Sequence, residues 1–380
     1  MDLTTLAAAL FIALGLLGAD TIVHSDTVTL EVTAAPSLVK SEHMTLDQPT
    51  LELEFEDQLR RIASTPSLVP TPLIRTTQDE GIGQAVFAAI RLKHAAEALQ
   101  TELGYAPDRI RLTLYLERGQ VRGLISGVDR RVGTFRQILT ADKDETLVDF
   151  VHRCALWSAS QLAPYTTALY LLQKHADDGS FADSIGMIEH AKAMIPPTPV
   201  SLDRSLFENL AGVIALFKSD LAAARASFEA AVAADPTNAP PILNAAFADL
   251  QLGEFNKAAE RMQRIVTQGT IQNRMVLASA YLTWAAAEMG RSDPASADAL
   301  LAKAGAIDPD SCAVFDLWAQ AKLMTGDAAA ATALRNRALA NTVRFQNIGE
   351  LAVLYFQPSS QPGQPLTRSK FANPTLITFH

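Results

Sequence analysis

Between Arg109 and Glu117 the chain reads RIRLTLYLE, with Ile110, Leu112, Leu114 and Leu116 alternating with Arg111, Thr113, Tyr115 and Glu117. Period-two alternation predicts a half-buried strand, because successive side chains point to opposite faces. Gly119 and Gln120 make a tight turn into Val121–Val128, so the two segments predict a hairpin. Gly133–Leu139 is a candidate third strand, and Thr27–Val32 alternates as TVTLEV. Helical spacing takes over elsewhere. Leu51, Phe55, Leu59 and Ile62 predict an amphipathic helix over Thr45–Ile62. Val86, Ile90, Ala96 and Leu99 predict another over Ile82–Leu103, stopped by Gly104 and Pro107. Pro66, Pro70 and Pro72 mark an extended link between them, and a long helix starts near Glu145. Residues 26–145 therefore read as a small α+β domain with helices on one face of a sheet.

The first segment has a different pattern. Leu3 to Ala19 carries no charge, and only Asp20 interrupts it before Val23. A bilayer is crossed by about 17–25 apolar residues in a helix, so 3–23 is expected to be a transmembrane anchor. The alternatives are a cleaved signal peptide and a buried N-terminal helix. A signal peptide wants a basic start and small residues before the cut, whereas Asp2 opens this chain and Leu17 precedes Ala19 by two. No Lys or Arg precedes Lys40, and acidic residues and His24 follow the span. That distribution points to a single pass of a bacterial inner membrane with the body in the periplasm.

From Tyr165 onward the apolar pattern repeats. Over Ser205–Asn238, Ala211 and Gly212 form a small pair, and Ala224, Phe228 and Ala231 follow at helical spacing. Pro236 closes the unit after Asp235. Ala239–Gln272 keeps the register, with Ala245 and Ala246, Gly253, Ala258, and Met262 in place of the phenylalanine. After a five-residue insertion, Ala278–Ser311 offers Trp284, Ala285, Ala297, Leu301, Ala304 and Pro309, with its inner turn at Gly290–Pro294. Cys312–Phe345 offers Trp318, Ala319, Gly326, Ala331 and Ala338, with Arg335 where an apolar residue is expected, as suits a terminal unit. Tyr165–Thr198 offers Gly179, Phe181, Ser184, Ile188, Ala191 and Pro196, and six extra residues separate it from the next unit.

This half of the chain resembles the tetratricopeptide-repeat family, whose unit is a helix–turn–helix of about 34 residues. The resemblance implies a stack of about five antiparallel helix pairs over 146–356, with Phe228 filling the gap between units. The first repeat helix then continues the last helix of the α+β domain. Gln346–Tyr355 would cap the stack, and 357–380 would be a loosely ordered tail. It also implies a concave inner face, lined by the first helix of each pair, that holds a partner peptide. In register that face includes Thr166, Leu169 and Gln173, then Asn209, Val213, Leu216 and Phe217. Leu243, Phe247, Leu250 and Gln251 come next, and Asp316, Gln320 and Leu323 last. Asn209, Val213, Phe217, Phe247, Gln251, Asp316 and Gln320 are the candidate partner-binding residues. Members that grip an acidic C-terminus use Lys and Arg on this face, which here has Asn209 and Asn244 but neither cation. An apolar or helical segment is the better-matched partner, with packing inside the stack as the alternative role for Phe217 and Phe247.

Composition narrows the function classes. Apolar residues make up 48% and charged residues 19%, enough to build cores and too little charge for a disordered chain. The formal net charge of −9 argues against nucleic acid. Cys154 and Cys312 have no second cysteine at metal-ligand spacing, so neither a metal nor a disulfide framework is expected. Gly81-Ile82-Gly83 lacks the third glycine of a dinucleotide fingerprint, so no cofactor is expected. Arg109, Arg111, Arg118, Arg122, Arg130 and Arg131 cluster on the hairpin; Glu117 and Asp129 interleave, which favours a solvated face over a phosphate or headgroup site. His152 and Cys154, two apart, fall on different helix faces and make no nucleophile pair. The expectation is a membrane-anchored protein-interaction scaffold without catalytic residues. Alternatives are an enzyme or ligand-binding protein with its site in the α+β domain, and a module that oligomerises through its repeats.

Overall fold

A computed structural model describes residues 27–68, 73–76, 108–129, 133–196, 198–269, 271–340, 356–357 and 367–368. The expected anchor 3–23, the helix Ile82–Leu103, the capping helix Gln346–Tyr355, Arg130, Arg131 and most of the tail lie outside the described residues. Among the described residues no helix is long and apolar enough to cross a membrane. The chain divides into two compact units, the boundary falling between Thr167 and Ala168, with Pro66–Val69 belonging to the second.

In the first unit, β1 (Thr27–Ala34) leads through α1 (Pro36–Val39) and α2 (Gln48–Ala63) to β2 (Leu73–Thr76). β3 (Asp108–Glu117), β4 (Gln120–Asp129) and β5 (Gly133–Thr140) complete a five-stranded sheet of order β2-β1-β3-β4-β5. β1 runs parallel to both β2 and β3, and the last three strands are antiparallel. The expected hairpin and third strand are therefore present, but the sheet is mixed. β2, with its Leu73↔Thr27 register, was expected only as part of an extended link. One sheet face carries Val28, Leu30, Val32, Ile110, Leu112, Leu114 and Ile125, all buried. It is covered by Leu51, Phe55, Leu59 and Ile62 of α2 and by Phe150, Val151 and Cys154 of α3 (Leu147–Leu162). The close approach of α3 depends on Gly123, where a Cβ would lie 3.0 Å from the Cys154 sulfur.

The long helix expected from Glu145 onward is broken. α3 ends at Leu162, Ala163 adopts φ −138° and ψ 65°, and α4 (Pro164–Lys174) starts afresh. Proline disfavours helical geometry at the residue before it and lacks the N–H that would continue the ladder.

The second unit is the helix stack. α5 (Ala182–Met194) follows α4. Then come the pairs α6 (Leu202–Phe217) with α7 (Leu221–Ala234), α8 (Ala239–Gln251) with α9 (Phe255–Thr267), α10 (Arg274–Gly290) with α11 (Pro294–Ile307), and α12 (Cys312–Met324) with α13 (Ala328–Ala340). Each second helix also packs on the first helix of the next pair, and first helices touch one another along α6, α8, α10 and α12. The second helices bury one stripe each: Ser184, Ile188 and Ala191; Ala224, Phe228 and Ala231; Ala258, Met262 and Ile265; Ala297, Leu301 and Ala304; Ala331 and Ala338. Arg335, at the missing position of the last stripe, is exposed. Phe228 is fully buried and its ring lies against Gly212 of its own pair, where a Cβ would sit 2.4 Å from the ring. Beyond the stack, β6 (Phe356–Gln357) pairs antiparallel with β7 (Thr367–Arg368).

The turns inside four pairs have one construction. Ser219, Gly253, Ser292 and Gly326 have φ of 61°, 75°, 61° and 84°. Their spacings of 34, 39 and 34 residues reproduce the expected period and its five-residue insertion. The next residue, Asp220, Glu254, Asp293 or Asp327, donates its N–H to the carbonyl five positions back at 2.9 Å, closing the first helix. The three aspartates then cap the second helix by accepting from the N–H of Ala223, Ser296 and Ala330, each at 3.0 Å. A left-handed conformation costs a side-chain-bearing residue about 1–2 kcal/mol, and glycine nothing. Ser219→Gly and Ser292→Gly are thus expected to stabilise the stack by up to about 1 kcal/mol, and Gly253→Ala to destabilise it by about 1 kcal/mol. Thermal unfolding of the three variants checks this; a neutral Gly253→Ala would count against the turn geometry.

Candidate functional site

The inner face is built from α6, α8, α10 and α12. Its N-terminal part is closed. Asn209 and Val213 are fully buried and Phe247 is 3% exposed, so these three candidate residues present no surface in this conformation. Asn244 Nδ2 donates to Asn209 Oδ1 at 2.8 Å, tying α8 to α6 with both groups buried. A bond between buried amides holds the stack in register, since leaving either group unpaired would carry its full desolvation penalty. Residues 240–249 of α8 are buried without interruption, on every side of the helix. Phe217 is half-buried, its ring 5.5 Å from that of Phe181, and Gln251 is also half-buried.

The C-terminal part of the face is more open. Asp316 and Gln320 are half-buried on α12 and bonded to each other, Gln320 Nε2 donating to Asp316 Oδ2 at 3.0 Å. Leu323 and Met324 are exposed at the end of the same helix. Carrying the register across the insertion adds Leu282, Ala286 and Met289 of α10, positions missing from the sequence-derived set. Leu282 is buried, and Ala286 and Met289 are half-buried. The reachable strip thus runs from Ala286 and Met289 to Asp316, Gln320 and Leu323, and is apolar with one carboxylate–amide pair.

A second constellation was not legible in the sequence. Asp249, fully buried at the end of α8, accepts from Arg261 Nε at 2.7 Å. Arg225 NH2 and Lys257 Nζ stand 3.4 and 3.7 Å from its other oxygen. Arg225 makes a two-pronged bond to Glu254 at 2.7 and 2.9 Å, and Arg261 also bonds Glu229. The Arg225 hydrogen bond holds the Glu254 carboxyl below its ordinary range, and Glu254 raises Arg225 in turn. Six charged side chains from α7, α8, the turn after it and α9 thereby clasp the second pair to the third.

The α+β unit carries the remaining features singled out in the sequence. Its parallel strands reverse order at β1, and in open sheets that reversal opens a ligand crevice at the strand ends. Here α1 lies across that crevice: Ala35 N–H donates to Leu114 O at 2.8 Å, Leu116 N–H to Ser37 Oγ at 3.2 Å, and Leu38 is fully buried. Burial pushes the Cys154 thiol up to about 12, and it raises Cys312 as well. Both therefore stay protonated and unreactive. His152 bonds Glu54 of α2 at 2.9 Å, away from Cys154. On the hairpin, Arg111 pairs with Glu31 at 2.7 Å and Arg122 with Glu117 at 2.6 Å, which neutralises part of the arginine cluster. Among the described residues no group of His, Cys, Asp and Glu is placed to hold a metal ion.

Residues 217–270, from the end of α6 through α9, match the tetratricopeptide repeat family. Two solved structures are similar to part of this chain. One, titled "MamA RS-1 ArsTM double mutant", is 13% identical, with 47% of this chain and 94% of that chain covered and a TM-score of 0.37. The other, titled "Crystal structure of MamA", is 18% identical, with 44% and 92% covered and a TM-score of 0.36. No curated protein matches this sequence.

Proposed function

We propose, on the premise that this chain is a tetratricopeptide-repeat protein, that it is a membrane-anchored scaffold that binds a partner protein on the inner face of its helix stack. The observation that carries the reading is the stack itself: four helix pairs in one register, preceded by α4 and α5 and built to present a row of first helices. The reachable strip on α10 and α12 is where the partner docks. Ala286, Met289 and Leu323 supply apolar contact, and Asp316 and Gln320 supply hydrogen bonds that fix register, a combination suited to an amphipathic helix. Anchoring is assigned to the uncharged run Leu3–Ala19, with the body on the periplasmic side of a bacterial inner membrane.

Affinity capture from detergent-solubilised membranes tests both parts. The full-length chain is expected to fractionate with membranes and to retain a discrete partner. Asp316→Ala/Gln320→Ala and Leu323→Asp are expected to weaken retention at least tenfold with unchanged folding. A protein that fractionates entirely as soluble sinks the anchoring. Equal retention by wild type and both variants sinks the inner-face assignment.

A further inference from the structure

The helix pairs share one register, so each position has a counterpart in the neighbouring pair. The buried stripes Ser184, Ile188, Ala191 and Ala224, Phe228, Ala231 align α5 with α7. The turn residues Ser219 and Gly253 align the second pair with the third. By that alignment the six clasp residues Arg225, Glu229, Asp249, Glu254, Lys257 and Arg261 correspond to Ile185, Glu189, Ala215, Asp220, Ala223 and Ser227. All six counterparts line one cleft of about 210 Å³ between α5, α6 and α7, floored by Ile188, Ala211 and Ile214. The place that one interface fills with charged side chains is left open one interface earlier.

The difference between the two places is one-sided. All three cations are absent from the cleft, being Ile185, Ala223 and Ser227 there, while two of the three carboxylates persist as Glu189 and Asp220. The cleft has kept two of the carboxylates and lost all three clasp cations, Lys218 being the cation among its lining residues. Glu189 is largely exposed and carries one ion pair, to Lys192. Lys192 reaches it only at 3.4 Å and lies closer to Glu208, at 2.9 Å. Asp220 uses one oxygen to cap α7 through Ala223 N–H at 3.0 Å.

We propose that this cleft receives an arginine side chain from a partner protein, in the place that Arg261 occupies one pair further on. Arg261 supplies the template: its guanidinium bridges Asp249 and Glu229, and it is largely buried. An incoming arginine lays its methylenes on Ile185, Ile188 and Ile214 and brings its planar fork to Glu189, the counterpart of Glu229. Lysine, a point charge without the fork, suits the site less. No lining residue of this cleft belongs to the reachable inner strip, so it is a docking point additional to that strip.

The probe is N-acetyl-arginine methylamide, compared with its neutral citrulline counterpart by saturation-transfer NMR on the full chain. The arginine probe is expected to bind at millimolar concentration, at least fivefold more tightly than the citrulline one. Ser227→Arg, which supplies the missing side chain internally, and Glu189→Gln are each expected to abolish that difference. Ser227→Arg should also raise the thermal midpoint, and should not do so in a Glu189→Gln background. Equal binding of the two probes to the wild type overturns the proposal, as does undiminished arginine preference in Glu189→Gln. Glu189 is well exposed, so that variant decides the matter even if Ser227→Arg fails to fold.

Discussion

Gly212→Ala is expected to destabilise the helix stack by about 2 kcal/mol, although alanine is the better helix former by about 1 kcal/mol. A Cβ at this position would stand 2.4 and 2.5 Å from two atoms of the Phe228 ring, far inside contact distance. Phe228 is fully buried and cannot retreat without leaving the core of its pair. Overpacking of this kind typically costs about 1–3 kcal/mol and here must outweigh the propensity gain. The partner substitution makes the test specific. Phe228→Leu leaves room at Gly212, so the double variant should lose less stability than the sum of the single losses. A coupling of about 1 kcal/mol or more in a double-mutant cycle, measured by urea unfolding, is the expected result. A Gly212→Ala variant as stable as wild type, or purely additive losses, would show that the first and second helices do not meet as described.

The largest single loss is expected at Asp249. Asp249→Ala removes a fully buried carboxylate and leaves Arg261 with Glu229 alone and Arg225 with Glu254 alone, a change expected to cost about 3 kcal/mol, the low end for a broken buried pair. Arg225→Ala should cost much less, about 1 kcal/mol or under, because Arg225 and Glu254 are partly open to solvent. The triple variant Asp249→Ala/Arg225→Met/Arg261→Met removes the stranded charges together and should recover most of the loss. In a stack whose stability resides in nearest-neighbour contacts, weakening one interface also uncouples the segments on either side. Asp249→Ala is therefore expected to unfold in two steps where the wild type unfolds in one. Calorimetry and urea titration read both effects; a loss under about 1 kcal/mol with a single sharp transition would contradict the clasp.

Much of the stack was legible because its chemistry is local and periodic. Ala224, Phe228 and Ala231 announce a buried stripe by spacing alone, and Gly253 marks a left-handed turn because glycine adopts it freely. Ser219 and Ser292 occupy the same conformation, but serine carries no such signature: the turn at Ser292 was marked by Gly290 and Pro294 around it, and the turn at Ser219 by nothing local. β2 was hidden for another reason: the four residues LIRT form a strand only because β1 lies beside them. At the candidate site, register told which residues belong to the inner face. It could not tell which of them remain accessible, because burial depends on what surrounds a helix. Asn209 and Asn244 look like surface amides in a groove, yet in the fold they bond each other inside the stack. The clasp around Asp249 was illegible since its six members are spread over three helices, and its meaning appears only when the cleft at Ile185, Glu189 and Ser227 is set beside it.

Site-directed photo-crosslinking in intact cells tests most directly the claim that this chain works by holding a partner on its inner face. Benzoylphenylalanine placed at Gln320 or Leu323 reports from the reachable strip, and at the exposed Ala302 on α11 it reports from a second helix of the stack. The account predicts a discrete protein adduct from the first two positions and none from the third. Adducts of equal yield from all three positions, or none from any, would contradict it.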